Sequence, residues 1–295
     1  MKKSFLILIF LISITFSFLI EKFIFNSFFL FTDAQNDKEI NNLSNNYKTK
    51  NSQEKGIKKT NFITEEEYQK IKQNFKKQDN KKEIKSKKEN NIDFNQKVVY
   101  PVFFTSQAPS GQWKNEIFQD GCEEASMLMA LNWAKNDNKK LSKKQVETEI
   151  EKISLFEKEK YNFYLDVSLV DVYKIIQDYY NYSHIKFLET IKKDDLIKTL
   201  YKEAVLIVPV NGQLLNNPFF TSPGPEYHTL LIVGYNPKDK NFIVNDPGTR
   251  RGDHYHYNED VLYKAIRDYP SGYHQVIKEK HKRAIAIYKN KKDIN

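Results

Sequence analysis

The residue with the clearest chemical potential is the single cysteine of this 295-residue chain, Cys122, in the stretch QDGCEEASMLMALNWAKN. The Asp120-Gly121 pair before it is typical of a turn, and the apolar spacing after it predicts a helix that begins near Cys122. The free N–H groups and the dipole of a helix N-terminus favour a thiolate, so we expect a reactive thiol with a pKa below the ordinary value of about 8.5. The alternative is a small buried core residue, the more common role of a free cysteine.

A histidine and an aspartate could supply the proton transfer that a thiol nucleophile needs. His228 begins the apolar run HTLLIVGY, and Asp246 follows the next apolar run in FIVNDPG. The NPKD turn between the runs predicts an antiparallel hairpin, in which the start of one strand lies beside the end of the other. We therefore expect an imidazole that is oriented by a carboxylate. Taken singly, a histidine at a strand end is an ordinary edge residue, and an aspartate before Pro-Gly is an ordinary turn residue.

The fourth requirement of such chemistry is an oxyanion hole. The backbone N–H of Cys122 at the helix start would be one donor, and a glutamine side chain would be the second. Gln107 and Gln119 are the candidates. Gln107 is preferred because Gln119 lies so close to Cys122 in the chain that its side chain could simply cap the turn.

Four segments carry a resemblance to a known family: FTSQAPSGQW, QDGCEEASMLMAL, HTLLIVGY and NDPGTRRG. Together they resemble the papain-fold cysteine peptidases of the bacteriocin-processing, or double-glycine leader peptidase, group, specifically its stand-alone C39-like bacterial relatives. The resemblance covers about residues 100–269. It implies that Cys122 is the nucleophile, that His228 is the general base and acid, that Asp246 orients the imidazole and that Gln107 is an oxyanion donor. No cofactor or metal is expected.

Two alternatives to a peptidase stay open. One is a catalytically inactive domain of the same fold that binds peptide in its cleft. The other is an acyltransferase that uses the same three residues and passes the thioester to an amine instead of to water. Peptide or protein is the expected substrate in each case, and the sequence does not indicate an oligomeric state.

The order of the predicted elements, helices first and strands after, indicates an α+β domain with its helices gathered on one side of an antiparallel sheet. The resemblance implies a papain-like fold, with N-terminal helices packed on that sheet. An extended leading strand is expected from Val98 to about Pro109. Helices are predicted at 122–136, 142–160, 167–180 and 196–201. Strands are predicted at 186–191, 204–211, 228–235, 241–244 and 284–288.

Composition divides the chain into three parts, predicted as a signal-anchor over residues 1–32, a disordered tether over 33–95 and the peptidase domain over 96–290. The apolar run from Phe5 to Ile20 follows Lys2-Lys3, which favours a cytoplasmic N-terminus and a domain outside the membrane. The tether is rich in Asn and Lys and could not bury a core. The chain has a net charge of +9. Because the tether has no clustered arginines among its lysines, a solvated spacer is favoured over a nucleic-acid-binding segment.

Three further features have a plain alternative beside the functional one. The H-x-H spacing of His254 and His256 would suit zinc, but a third ligand is not evident, so a cleft-lining loop or simple surface is favoured. Trp113 and the segment NNPFFTSPGPEY at 216–227 could form a substrate wall or merely cover the sheet. Arg250 and Arg251 could pair with a substrate carboxylate or be ordinary surface charges.

Overall fold

An antiparallel sheet with helices on both faces carries the candidate residues. The computed structural model describes residue 69 and residues 92–135 and 140–289. The predicted anchor, and all but residues 69 and 92–95 of the predicted tether, lie outside these residues. Within the described ranges, none of the helices has the length and apolar character needed to cross a membrane.

The secondary structure follows the predicted order, with several additions. The helices are α1 (Glu116–Gln119), α2 (Cys122–Ala134), α3 (Lys143–Tyr161), α4 (Leu169–Asp178), α5 (Lys193–Leu200) and α6 (Glu259–Ala265). The strands are β1 (Val98–Val99), β2 (Ile185–Leu188), β3 (Ala204–Val210), β4 (His228–Asn236), β5 (Asn241–Asn245), β6 (Tyr255–Asn258) and β7 (Ala284–Tyr288). The elements α1, α6 and β6 were not predicted from the sequence.

The sheet of the described chain has the order β2-β7-β3-β4-β5-β6, and β1 pairs with the end of β4. Each of these pairs is antiparallel. Gly234 allows β1 to approach, because a Cβ atom at that position would lie 2.4 Å from the carbonyl oxygen of Val98. The predicted class, α+β with N-terminal helices on an antiparallel sheet, is confirmed.

The predicted leading strand is much shorter than expected. Only Val98 and Val99 join the sheet. Beyond them the Tyr100 N–H donates to the carbonyl of Val233 over 2.9 Å, and the chain then leaves the ladder. Pro101 has no N–H with which to continue the pairing. The segment runs on without regular structure to the first candidate glutamine.

Both faces of the sheet are covered, which explains the nearly continuous apolar sequence of β3, AVLIVPV. Helices α2 and α4 pack on the face that includes Leu231 and Val233. Helices α5 and α6 pack on the opposite face, which includes Leu230 and Ile232. The sequence-based interpretation that all helices gather on one side of the sheet is therefore wrong for α5 and α6.

Helix α2 is the central helix of the N-terminal layer. All of its residues except Asn132 are buried, including Glu123 and Glu124. A helix that is buried all round has no polar face to fix its orientation. Its position is set instead by packing against β4 and against α3, which begins at a Ser142 capping box.

Candidate active site

Cys122 is the first residue of α2, as the sequence predicts. Gly121 precedes it at the helix cap, and no side chain caps this end of the helix. The side chain of Cys122 is 6% exposed. It lines a cavity of about 850 Å³ together with Gln107 and His228. The sulfur is thus nearly buried, yet it faces a cavity large enough for a peptide segment.

The thiol environment differs from the sequence-based expectation. Cys122 Sγ lies 3.0 Å from Oε2 of Glu123, which accepts a hydrogen bond from the thiol. Burial raises the pKa of the Cys122 thiol, and the charge and hydrogen bond of Glu123 raise it further, while the backbone N–H of Thr229 acts in the opposite direction. The expected lowering of the pKa by the helix N-terminus is therefore wrong for this arrangement, because desolvation and a neighbouring carboxylate outweigh the dipole.

The hairpin brings His228 and Asp246 together. Strands β4 and β5 pair antiparallel, with Leu231 opposite Asn245. His228 Nε2 lies 2.8 Å from Asp246 Oδ1, and the two side chains are 2% and 0% exposed. An ionised carboxylate can only accept, so Nε2 carries the proton and Nδ1 is the nitrogen that can take a proton from a thiol. The ring of Phe220 packs edge-on against the imidazole, with centroids 5.5 Å apart.

Asp246 is held by several donors besides His228. The Gly248 N–H donates to Oδ1 over 3.0 Å, and the Tyr257 hydroxyl donates to Oδ2 over 2.7 Å. Asn217 in turn donates to the Tyr257 hydroxyl over 2.6 Å. Burial alone would raise the pKa of Asp246, but the charge of His228 and these hydrogen bonds outweigh it and hold the pKa below its usual range.

The loop after Asp246 also depends on a close backbone approach. The Asp246 N–H donates to the Gly252 carbonyl over 3.0 Å. A Cβ atom at position 252 would lie 1.9 Å from the Asp246 carbonyl oxygen. Only glycine fits there, so Gly252 fixes the turn that carries the carboxylate.

Gln107 and Gln119 both line the cavity, but they differ in how they are placed. The Gln107 backbone N–H donates to the Pro247 carbonyl over 3.0 Å, which docks the segment beside Asp246. Its side-chain Nε2 donates one hydrogen to the Gln119 carbonyl over 2.6 Å, which leaves a second hydrogen on that nitrogen. The side chain of Gln107 is 4% exposed, whereas that of Gln119 is exposed.

The walls of the cavity include the aromatic and basic residues that the sequence singled out. Trp113 and Phe219 line it, as do Arg250 and Arg251. The Arg251 guanidinium lies over the Phe219 ring, 4.8 Å from the centroid. Acidic residues line the cavity as well, among them Asp120 and Asp166. Burial first, and then the charge of Asp166, raises the pKa of Asp120 to about 6. The cavity therefore offers apolar, cationic and acidic contacts to a bound chain.

The two histidines with H-x-H spacing lie away from this constellation. His254 Nδ1 contacts Asp253 over 2.6 Å, and His256 is exposed on β6. In the part of the chain that the structure describes, no group of three or more potential ligands could hold a metal ion.

Sequence reasoning missed the residues that surround the candidate trio. Glu123 was overlooked although it adjoins Cys122, because a glutamate in the first turn of a helix gives no sign that its side chain is buried beside the sulfur. Tyr257 was missed because its contact with the Asp246 carboxylate depends on β6, which was not predicted. The role of Asn217 was missed with it, because Asn217 donates to the Tyr257 hydroxyl. Alternation of tyrosines in YHYN was the available signal for that strand.

The comparison with protein families agrees with the resemblance seen in the sequence. The family model described as the Peptidase_C39 like family matches residues 101–277. A similar solved structure is that of a candidate C39-like peptidase from Bacillus anthracis, with 15% identity and a TM-score of 0.39, covering 66% of this chain and 98% of that chain. Among curated proteins there is no significant match.

Proposed function

Because this chain belongs to the Peptidase_C39 like family, we propose that it is a cysteine peptidase that hydrolyses peptide bonds through Cys122, His228 and Asp246. The observation that carries the proposal is the buried His228–Asp246 pair, with atoms 2.8 Å apart, whose imidazole lines the same cavity as the single thiol. A domain that only bound peptide would not need a buried imidazole–carboxylate pair on the same cavity as its one thiol.

The first half of the reaction forms a thioester. His228 Nδ1 takes the thiol proton as the Cys122 sulfur attacks the peptide carbonyl carbon, and the carbonyl oxygen becomes an oxyanion. The Cys122 backbone N–H and the second Nε2 hydrogen of Gln107 are the donors proposed for it. The imidazolium then gives its proton to the departing amine as the C–N bond breaks. General acid–base transfer of this kind typically contributes about 10² to 10⁴ in rate.

The second half releases the acid. His228 takes a proton from a water molecule, whose oxygen attacks the thioester carbon. The C–S bond breaks, the proton returns to sulfur, and the carboxylic acid product leaves. Asp246 stays ionised throughout, because it accepts from three donors and stabilises the imidazolium in both halves.

The test is hydrolysis of a mixed peptide library by the full-length chain, with products read by mass spectrometry. Cys122→Ala and His228→Ala are each expected to abolish cleavage, whereas His256→Ala, an exposed histidine, should retain it. Cleavage that survives Cys122→Ala would refute the proposal. Peptide binding without cleavage would favour the binding domain, and amide products formed from an added amine would favour the acyltransferase.

We further propose that residues 1–32 anchor the protein in the cell membrane and that residues 33–95 tether an extracytoplasmic peptidase domain. The apolar run after Lys2-Lys3 and the lysine-rich polar tract that follows support this placement. Trypsin added to right-side-out membrane vesicles should cut the tether and release the domain. Release only from inverted vesicles would reverse the orientation, and recovery of the uncut chain in the soluble fraction would refute the anchor.

A further inference from the structure

Glu123 is a buried carboxyl that touches the sulfur of the proposed nucleophile. The residue is 1% exposed, and its Oε2 lies 3.0 Å from Cys122 Sγ. Nothing in the proposed mechanism uses it. A carboxylate at this distance accepts a hydrogen bond from the S–H group, and ionisation of the thiol would place two negative charges side by side in a desolvated pocket.

The other oxygen of Glu123 is held from outside α2. Oε1 accepts from the Tyr269 hydroxyl over 2.5 Å and from the Val167 backbone N–H over 3.2 Å. The Tyr269 hydroxyl also contacts Thr229 Oγ1 over 2.8 Å. Thr229 directly follows His228 in β4. The carboxyl is therefore fixed by two separate segments and is linked through Tyr269 to the strand that carries the imidazole.

We propose that Glu123 is a positioning residue that keeps Cys122 in its protonated thiol form in the resting protein, and that neutralising Glu123 frees the thiol to ionise. In the resting form the S–H donates to the Glu123 carboxylate. When Glu123 takes a proton from solvent, its O–H can donate to sulfur instead, and the thiol proton passes to His228. This role rests on the proposed function, since it concerns the form of the thiol from which that reaction starts.

The surroundings of Glu123 bring the pKa of its carboxyl close to neutral pH. Burial is the largest influence and raises the pKa of Glu123 to about 7, hydrogen bonds from Tyr269 and Cys122 lower it, and the charge of Asp166 raises it. Its other titratable neighbours are Glu124 on α2 and Glu157 on α3. Two groups in contact titrate as a pair, so the thiol of the wild type should ionise in a broad, two-step profile.

The experiment is alkylation of the full-length chain by iodoacetamide from about pH 5 to about pH 11, a range that includes the pKa of Glu123 and extends well above the ordinary pKa of a thiol. Cys122 is the single cysteine, so each adduct reports this site. Glu123→Gln should turn the profile into one step with a midpoint at least about one pH unit lower, which gives about tenfold more thiolate below the midpoint. Because a more acidic thiol is a weaker nucleophile, the alkylation rate below the midpoint should rise by only about threefold.

Tyr269→Phe is the second variant, because it removes a donor that lowers the pKa of Glu123. It should favour neutral Glu123 and move the midpoint in the same direction by a smaller amount. His228→Ala is combined with each variant as a folding control. The added change slows alkylation when the site is formed, and it leaves the rate unchanged when the variant is unfolded. A midpoint in folded Glu123→Gln that is unchanged or higher than in the wild type would overturn the assignment.

The readout separates this assignment from the proposed function. An acid-shifted midpoint in a chain that cleaves no peptide would refute the peptidase and keep the role of Glu123. Cleavage together with an unshifted midpoint would keep the peptidase and refute the role of Glu123.

Discussion

Replacing Asp246 by asparagine should remove a charge from beside the imidazole while leaving the shape of the side chain. Asp246 Oδ1 accepts from the Gly248 N–H and contacts His228 Nε2, so an oxygen is required at that position. The new amide nitrogen would then face the Tyr257 hydroxyl, which can rotate to accept from it. The imidazole keeps its orientation and tautomer, and it loses the negative charge that stabilises the imidazolium.

The size of the effect follows from that lost charge. An opposite charge in contact shifts a pKa by about 1 to 3 units, and each unit corresponds to about 1.4 kcal/mol. Destabilising the imidazolium by this amount should lower kcat by about 10-fold to 10³-fold, with little change in KM. Asp246→Ala should cost more, because it also removes the hydrogen bond that orients the ring.

Steady-state hydrolysis of one cleaved peptide by the full-length variants is the assay. Asp253→Asn is the matched control, since Asp253 is an exposed aspartate beside a different histidine, and its kcat should equal that of the wild type. The reasoning fails if Asp246→Asn keeps the wild-type kcat. It also fails if Asp246→Asn and Asp246→Ala lose equal activity, because orientation and charge would then not be separable.

Two further predictions follow from buried titrating groups. Burial, and then the charge of Glu124, raise the pKa of Glu157, and burial raises the pKa of Glu123 to about 7. The stability that these two protonated carboxyls provide is therefore fully present below about pH 4.5, and the part due to Glu123 is lost as the pH rises through about 7. The free energy of unfolding should fall by a few kcal/mol between about pH 5 and about pH 8, and chemical denaturation of Glu157→Gln should show a shallower fall; equal slopes would contradict the cause. Tyr257→Phe removes a donor to Asp246, so the folded pKa of Asp246 rises and the acidic limb of kcat against pH should move to higher pH; an unmoved limb would contradict that contact.

Local sequence signals predicted the parts of the fold that local physics decides. The turn between the apolar runs at 228–235 and 241–244 was enough to predict a hairpin, and the hairpin alone brings His228 and Asp246 into contact. The Asp-Gly turn and the apolar spacing after it likewise located the start of α2 at Cys122. These inferences worked because each depends on a single turn or helix terminus.

The rest depends on contacts between distant segments. The donors to Glu123 come from positions 167 and 269, and no periodicity in the sequence links them to position 123. Strand β6 is short and half polar, so its pairing with β5 gave little alternation to detect. The pKa of the Cys122 thiol was predicted in the wrong direction for the same reason: the helix N-terminus is visible in the sequence, and the burial is not.

The most direct test of the central claim, that Cys122 and His228 act as one reactive pair, is the rate of iodoacetamide labelling near neutral pH in the wild type and in His228→Ala. Without the imidazole, the thiol keeps its hydrogen bond to the carboxylate that holds it in the protonated form and loses the general base. We therefore predict that labelling of folded His228→Ala falls to a small fraction of the wild-type rate, while His256→Ala labels as the wild type does. Equal labelling of the wild type and His228→Ala would contradict the account.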